Sequence, residues 1–267
     1  MLIRQPHVAG TFYPSDPAEL RDFCVTHLPS HKPGITAKAV ILPHAGYVYS
    51  GKTAAKVLSR VHVPDRVFLL GPNHFGQGSP FALAARGSWK TPLGQVPIDE
   101  SLAQSLRSQA PDVEADDTAH LFEHSLEVEV PFLQVLNPSV RLVPMVVGTL
   151  DLLMARQVAM DCGRFLNGAG DVLTVISTDM NHYEPDAPTR LKDRFALDAI
   201  LNLDEEALIK VVREHRITMC GLVPVYMLLV MKSLLGIRKA TLVDYCTSAD
   251  ATGETDRVVG YAGFIFE

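Results

Sequence analysis

Four short, continuous apolar runs constrain the fold of this chain more than any other feature: Lys38–Leu42 (KAVIL), Arg66–Leu70 (RVFLL), Val140–Val147 (VRLVPMVV) and Asp171–Ser177 (DVLTVIS). They lack the apolar–polar alternation of a strand with one wet face, so they read as strands covered by helices on both sides. Helical periods lie between them. Ala54, Val57, Leu58 and Val61 repeat at i, i+3, i+4, i+7, and Ala155, Val158, Ala159, Cys162, Phe165 and Leu166 continue such a stripe over three turns. Asp204 is placed to cap a helix carrying Leu208, Val211 and Val212. Leu222–Leu235 is apolar almost all round, with Pro224 in its first turn, and predicts a buried helix. Ala240–Tyr245 and Val258–Phe266 read as closing strands, and Pro92-Leu93-Gly94 as the turn of a hairpin within 81–98. The expected fold class is α/β, with a mainly parallel central sheet and helices on both faces. No repeat or long linker divides the chain, so residues 1–267 are expected to form one domain.

Composition removes several function classes. With 47% hydrophobic residues, the chain is not a disordered segment. Its longest apolar run, Leu222–Met231, stops at Lys232, short of the roughly 18–20 residues that span a bilayer. The N-terminus has no apolar stretch resembling a secretory signal. A net charge of −6 gives no electrostatic case for nucleic acid or an anionic membrane as partner. Cys24, Cys162, Cys220 and Cys246 are far apart with no C-x-x-C, which signals neither a disulfide framework nor a zinc ribbon. The expectation is a cytoplasmic protein with a small-molecule or peptide ligand.

The chemistry lies just after the strands. KAVIL runs into Pro43-His44, RVFLL into Gly71-Pro72-Asn73-His74, DVLTVIS into Thr178-Asp179-Met180-Asn181-His182, and ATLVDY into Cys246. Ligands of open α/β sheets bind at the carboxyl ends of the strands. Two imidazoles and a thiolate gathered there can ligate iron, copper or zinc, and sulfur favours copper(I) or zinc. Each residue also has a plain reading: a histidine after a strand can cap a carbonyl, and Cys246 can be a small buried hydrophobe. Cys24, Cys162 and Cys220 are read as packing residues. In Glu123-His124-Ser125-Leu126-Glu127-Val128-Glu129, Ser125 can cap a helix with Glu127 and Glu129 at its positive end. Alternatively, Glu123 and His124 reach the site as acid/base or supporting groups. His120 is expected in a loop, and His7, His27, His31, His62 and His215 at the surface.

Taken together, AGTFYP (9–14), PHAGYVYSG (43–51), GPNH (71–74), TPLG (91–94), EHSLEVEVPFL (123–133), STDMNHY (177–183) and DYCTSAD (244–250) resemble the Memo family, known in prokaryotes as AmmeMemoRadiSam system protein B. The resemblance spans nearly the whole chain. It implies a three-layer sandwich similar to the class III extradiol dioxygenases, whose iron is held by two histidines and a glutamate. Carried over, His44 and His74 match the two histidine ligands, and Cys246 stands where a Memo-type site has its cysteine. His182 matches the acid/base histidine of the dioxygenases, with Asp179 beside it. Tyr47, Asn73, Glu123 and His124 are expected to line the substrate pocket or support the ligands. The function so implied is a mononuclear redox-metal site, copper or iron with zinc as a further option, in an oxidoreductase of unknown substrate. Two rivals stand beside it. One is a non-catalytic metal- or peptide-binding partner protein, and the other is a metal-dependent hydrolase using metal-bound water beside Asp179 and His182.

Overall fold

A computed structural model describes residues 2–28 and 34–267. His31, expected at the surface, lies outside the described residues. The apolar runs form β1 (Ala39–Leu42), β2 (Arg66–Pro72), β3 (Arg141–Val147) and β4 (Leu173–Ser177), paired in parallel in the order β1-β4-β2-β3. The closing strands β5 (Ala240–Thr247) and β6 (Val258–Phe266) extend this sheet: β6 is antiparallel to β1, and β5 is antiparallel to β6. Phe81–Leu83 pairs antiparallel with β3, and His182–Glu184 with β6. The predicted hairpin is Ser88–Thr91 with Gly94–Pro97, in a second sheet with Ile3–Arg4.

The continuous apolar character of the strands follows from two cores. Ile41, Phe68, Leu70, Val143 and Met145 point into one face and are all but fully buried. Helices α2 (Leu152–Gly168) and α3 (Leu222–Leu235) cover that side. Val40, Leu42, Val67, Leu69 and Leu142 point the other way, against α1 (Tyr47–Leu58) and the helices Pro17–His27 and Val130–Leu136. Each fully buried Leu, Ile or Phe contributes roughly 1.5–3 kcal/mol relative to exposure, so neither face tolerates polar alternation. In α3, Pro224 sits in the first turn, where its missing N–H costs no helical bond, and Gly236 ends the helix at φ 72°. Asp204 caps the helix Glu205–His215 by accepting from the Ala207 N–H at 2.8 Å. The structure is thus a mixed α/β fold with a helix-flanked sheet, as expected.

This topology positions the site. Because β1, β2 and β4 are parallel and adjacent, the segments Pro43-His44, Asn73-His74 and Thr178-Asp179 leave the same sheet edge side by side.

Candidate metal centre

His44, His74 and His124 converge at that edge, and one ring nitrogen from each lies within 4.8 Å of the others. They line a cavity of about 710 Å³ with Phe12, Tyr49, Asp179, His182, Thr218, Cys220 and Tyr261 among its other walls. His74 and His124 stack at 4.6 Å between ring centroids, and the His44 ring stands nearly perpendicular to both.

The outer nitrogens are tied back. His44 Nδ1 lies 2.7 Å from Ser177 Oγ, and that hydroxyl donates to the Ser125 carbonyl at 2.7 Å. Ser177 must then accept from His44, which fixes the proton on Nδ1 and leaves Nε2 as an acceptor, 3.3 Å from Cys220 Sγ. His74 Nδ1 donates to Glu123 Oε1 at 2.8 Å. The same carboxylate accepts from the His74 N–H at 2.6 Å and the Ser125 N–H at 2.9 Å, and His124 Nδ1 lies 3.6 Å away. Burial alone would raise the Glu123 carboxyl, but the His74 ring and these backbone amides outweigh it and bring it down to about 2. At that value the Glu123 carboxyl is ionised at pH 7. Burial lowers His124 to about 4 and holds His44 well below the ordinary imidazole range, so both rings are neutral at pH 7.

Three imidazoles suit iron, copper or zinc. Around one ion at ~2.0–2.1 Å their nitrogens would lie ~3.4 Å apart in tetrahedral geometry. The ring nitrogens lie within 4.8 Å of one another, so the three rings would have to draw closer to hold one ion in that geometry.

His124 reaches this position through close packing. A Cβ on Gly71 would lie 2.7 Å from Leu126 and 3.0 Å from Ser125 Oγ, so the bare backbone lets the 123–126 turn press onto the end of β2. Ser125 Oγ donates there to the Pro72 carbonyl at 3.0 Å. The expected helix cap at Ser125 does not form, because this segment enters a 3-10 turn, Glu127–Glu129. Glu127 instead holds the N-terminal segment, accepting from Arg4, the His7 and Val8 amides and the Tyr13 hydroxyl. Glu129 is buried beside Ser177, and burial with the nearby Asp179 raises it well above the usual carboxylate range.

Asp179 and His182 both line the cavity. Asp179 Oδ1 accepts from the His44 N–H at 2.8 Å. Burial raises its carboxyl to about 7 against the opposing pull of the His44 amide and the His74 ring. His182 follows in a short strand, with its N–H donating to Thr218 Oγ1 at 2.8 Å. Its Nδ1 is buried with no hydrogen-bond partner among the described residues.

The structure does not bring Cys246 into the histidine cluster. β5 does end on the expected edge, but β6 lies between it and β1, with Cys246 opposite Tyr261. The Cys246 side chain turns onto α1, where Sγ lies 3.3 Å from Thr53 Oγ1 and Thr53 donates to Asp244 at 2.7 Å. Tyr47 is likewise away from the cavity: it is buried, stacked on Phe132, and its hydroxyl donates to the Val128 carbonyl. Asn73 shapes the following loop, accepting from the Phe75 and Gly76 amides and donating to the Gln77 carbonyl. His120 is buried against Trp89 in a short 3-10 turn.

Sequence reasoning missed Cys220, whose sulfur lies 3.3 Å from His44 Nε2 at the cavity wall. Gly221 beside it was the available signal. A Cβ there would run into the Thr178 side chain and lie 2.6 Å from the Ser177 carbonyl, which marks a close approach to the end of β4.

Comparison with known proteins agrees with this architecture. A family model described as Memo-like protein matches residues 4–265. The chain is similar to a MEMO1 family protein of Aquifex aeolicus, 42% identical over 273 residues that cover both chains completely. It is also similar to the MEMO1 family protein MK0963 of Methanopyrus kandleri, 40% identical with 98% of each chain covered. Among solved structures, the uncharacterized protein JW3007 of Escherichia coli K12 shares the fold. Its TM-score is 0.57 at 15% identity, covering 86% of this chain and 99% of that one. With the match running almost end to end, this chain belongs to the Memo family.

Proposed function

We propose that this Memo protein carries a mononuclear metal centre at His44, His74 and His124 and that the centre serves an oxidoreductase reaction on a small-molecule or peptide ligand. One observation carries the reading: three imidazoles share a cavity, with His44 Nδ1 tied to Ser177 and His74 Nδ1 to Glu123. Such tethering fixes tautomer and ring orientation, as supporting hydrogen bonds do around bound metals. Copper or iron is the proposed occupant, and either would supply one-electron chemistry and a polarising charge when bound. The chain's own residues supply the rest. Glu123 stays ionised and holds His74, while Ser177 holds His44. Asp179, with its carboxyl at about 7, exchanges a proton near neutrality. His182 lines the same wall with an unsatisfied Nδ1 that can orient a polar group of the ligand. Phe12, Tyr49 and Tyr261 add aromatic walls against which an apolar part of the ligand can pack.

A second reading is favoured by the donor set itself. With Cys246 away from the cluster, three imidazoles suit zinc as well as a redox metal, and metal-activated water beside Asp179 would serve a hydrolase. A cytoplasmic location accompanies both readings. Among the described residues no helix is long and apolar enough to cross a membrane. Dioxygen uptake by iron- or copper-loaded protein against a panel of small phenols and thiols tests the first reading. Ester or amide hydrolysis by the zinc-loaded form tests the second. Metal uptake with no turnover in either assay would leave a binding protein.

A further inference from the structure

We propose that a second cavity, walled by Leu2, Ile3, Leu121 and Phe122 over Trp89 and His120, binds a neutral, flat heteroaromatic molecule of one or two rings that donates an N–H to His120 Nδ1. This cavity, of about 240 Å³, shares no lining residue with the histidine cavity.

Its key feature is an orphaned nitrogen. His120 is 2% exposed, its ring lines the cavity, and its Nε2 lies 3.1 Å from the Ala82 carbonyl. A carbonyl only accepts, so the proton sits on Nε2 and Nδ1 is left as an acceptor. Burial, with the Arg4 charge nearby, lowers this imidazole to about 4, so Nδ1 keeps its lone pair at pH 7. No described residue donates to it. A buried acceptor without a partner is costly, and a ligand N–H would pair it.

Size and charge narrow the ligand. A cavity of roughly 150 Å³ holds benzene, and drug-sized ligands fill pockets of roughly 300 Å³ or more. About 240 Å³ leaves room for two fused rings and little else. Leu2, Ile3, Leu121 and Phe122 are exposed, and an aromatic body would cover them. Arg4 lies over the Trp89 ring at 4.5 Å, but its charge is met by Glu127 at 2.7 Å. Arg86 and Asp117 also line the cavity with opposite charges, so a neutral molecule suits it better than an ion. The walls are preformed. Arg4 donates to the His120 carbonyl at 2.6 Å and to the Glu123 carbonyl at 2.7 Å, which ties the 120–123 turn to the strand Ile3–Arg4.

Trp89 is the only tryptophan of the chain, so the single indole N–H resonance of nitrogen-15-labelled full-length protein reports on this cavity. Unlabelled indole is the probe, and benzofuran, the same shape with oxygen in place of the N–H, is its control. Indole should shift the Trp89 resonance to saturation. Benzofuran should bind roughly 2- to 10-fold more weakly, the share of one hydrogen bond. His120→Phe should abolish that difference, and Leu121→Glu, at an exposed position, should weaken both. No shift at millimolar indole, or equal binding of indole and benzofuran to wild type, would overturn the proposal. So would an indole preference that survives in His120→Phe, or an unchanged affinity in Leu121→Glu. A resonance that moves with protein concentration alone would assign the cavity to a second copy of the chain and overturn the proposal too. Should His120→Phe fail to fold, the nitrogen-15 shift of His120 Nδ1 in wild type decides. Movement with indole but not with benzofuran supports the hydrogen bond, and no movement refutes it.

Discussion

Replacing Glu123 with glutamine should damage stability and metal binding together, because this carboxylate anchors both the fold of the 123–126 turn and the His74 ring. Glu123 is 2% exposed and accepts from the His74 ring, the His74 amide and the Ser125 amide. A carboxyl held at about 2 against an ordinary 4.5 has its ionised form stabilised by about 3 kcal/mol in the folded state. Glutamine keeps one acceptor oxygen but turns an NH₂ group towards donors that then go unpaired. Urea unfolding at pH 7, with the metal removed, should show Glu123→Gln less stable than wild type by about 3 kcal/mol, with an unchanged denaturant slope. The folded-state value lies below the unfolded one, so the wild-type advantage is full above about pH 5 and is lost as pH falls towards 2. Metal affinity should drop on the order of 10–100-fold, as for other groups that orient a ligating histidine. A variant within about 0.5 kcal/mol of wild type, as expected of an inconsequential surface change, would refute the reasoning. So would metal affinity that is unchanged.

Three further outcomes are expected. His182→Ala should retain metal in titration calorimetry while abolishing any turnover; metal loss as complete as in His44→Ala would make His182 a ligand. The Asp179 carboxyl is raised to about 7, so its contribution to stability is full at low pH and is lost as pH rises through that value. Metal-free wild type should therefore lose about 2 kcal/mol relative to Asp179→Asn between pH 5.5 and pH 8, and a pH-independent difference in urea unfolding would contradict this. Gly221→Ala should cost on the order of 1–3 kcal/mol, because its Cβ meets Thr178 and the Ser177 carbonyl; an unchanged thermal midpoint would show that the loop gives way freely.

The strands were legible in the sequence because burial on both faces leaves no polar positions, and His44, His74 and Asp179 were legible because parallel strands deliver their ends to one edge. The same rule put Cys246 on the right edge but could not say how far along it. That distance is set by β6, which inserts between β5 and β1 and is known only from pairing. Nor could it say which face the side chain takes: Cys246 shares α1's side with Asp244 by the two-residue period of the strand. His124 and Cys220 follow no strand of the central sheet. They arrive on a turn and a loop seated by Gly71 and Gly221, contacts between residues distant in sequence that no local pattern encodes. Glu127 and Glu129 illustrate the same limit: two carboxylates two residues apart take opposite roles, one holding the N-terminal segment by hydrogen bonds and the other buried beside Ser177.

The central claim is that three histidines build one metal site, and metal content per chain tests it most directly. Protein expressed in metal-replete medium, gel-filtered and analysed by inductively coupled plasma mass spectrometry should carry about one equivalent of a first-row metal. That equivalent should vanish in His44→Ala, His74→Ala and His124→Ala, and persist in Cys246→Ser. A wild-type protein free of metal after loading, or metal retained by His124→Ala and lost from Cys246→Ser, would contradict the account.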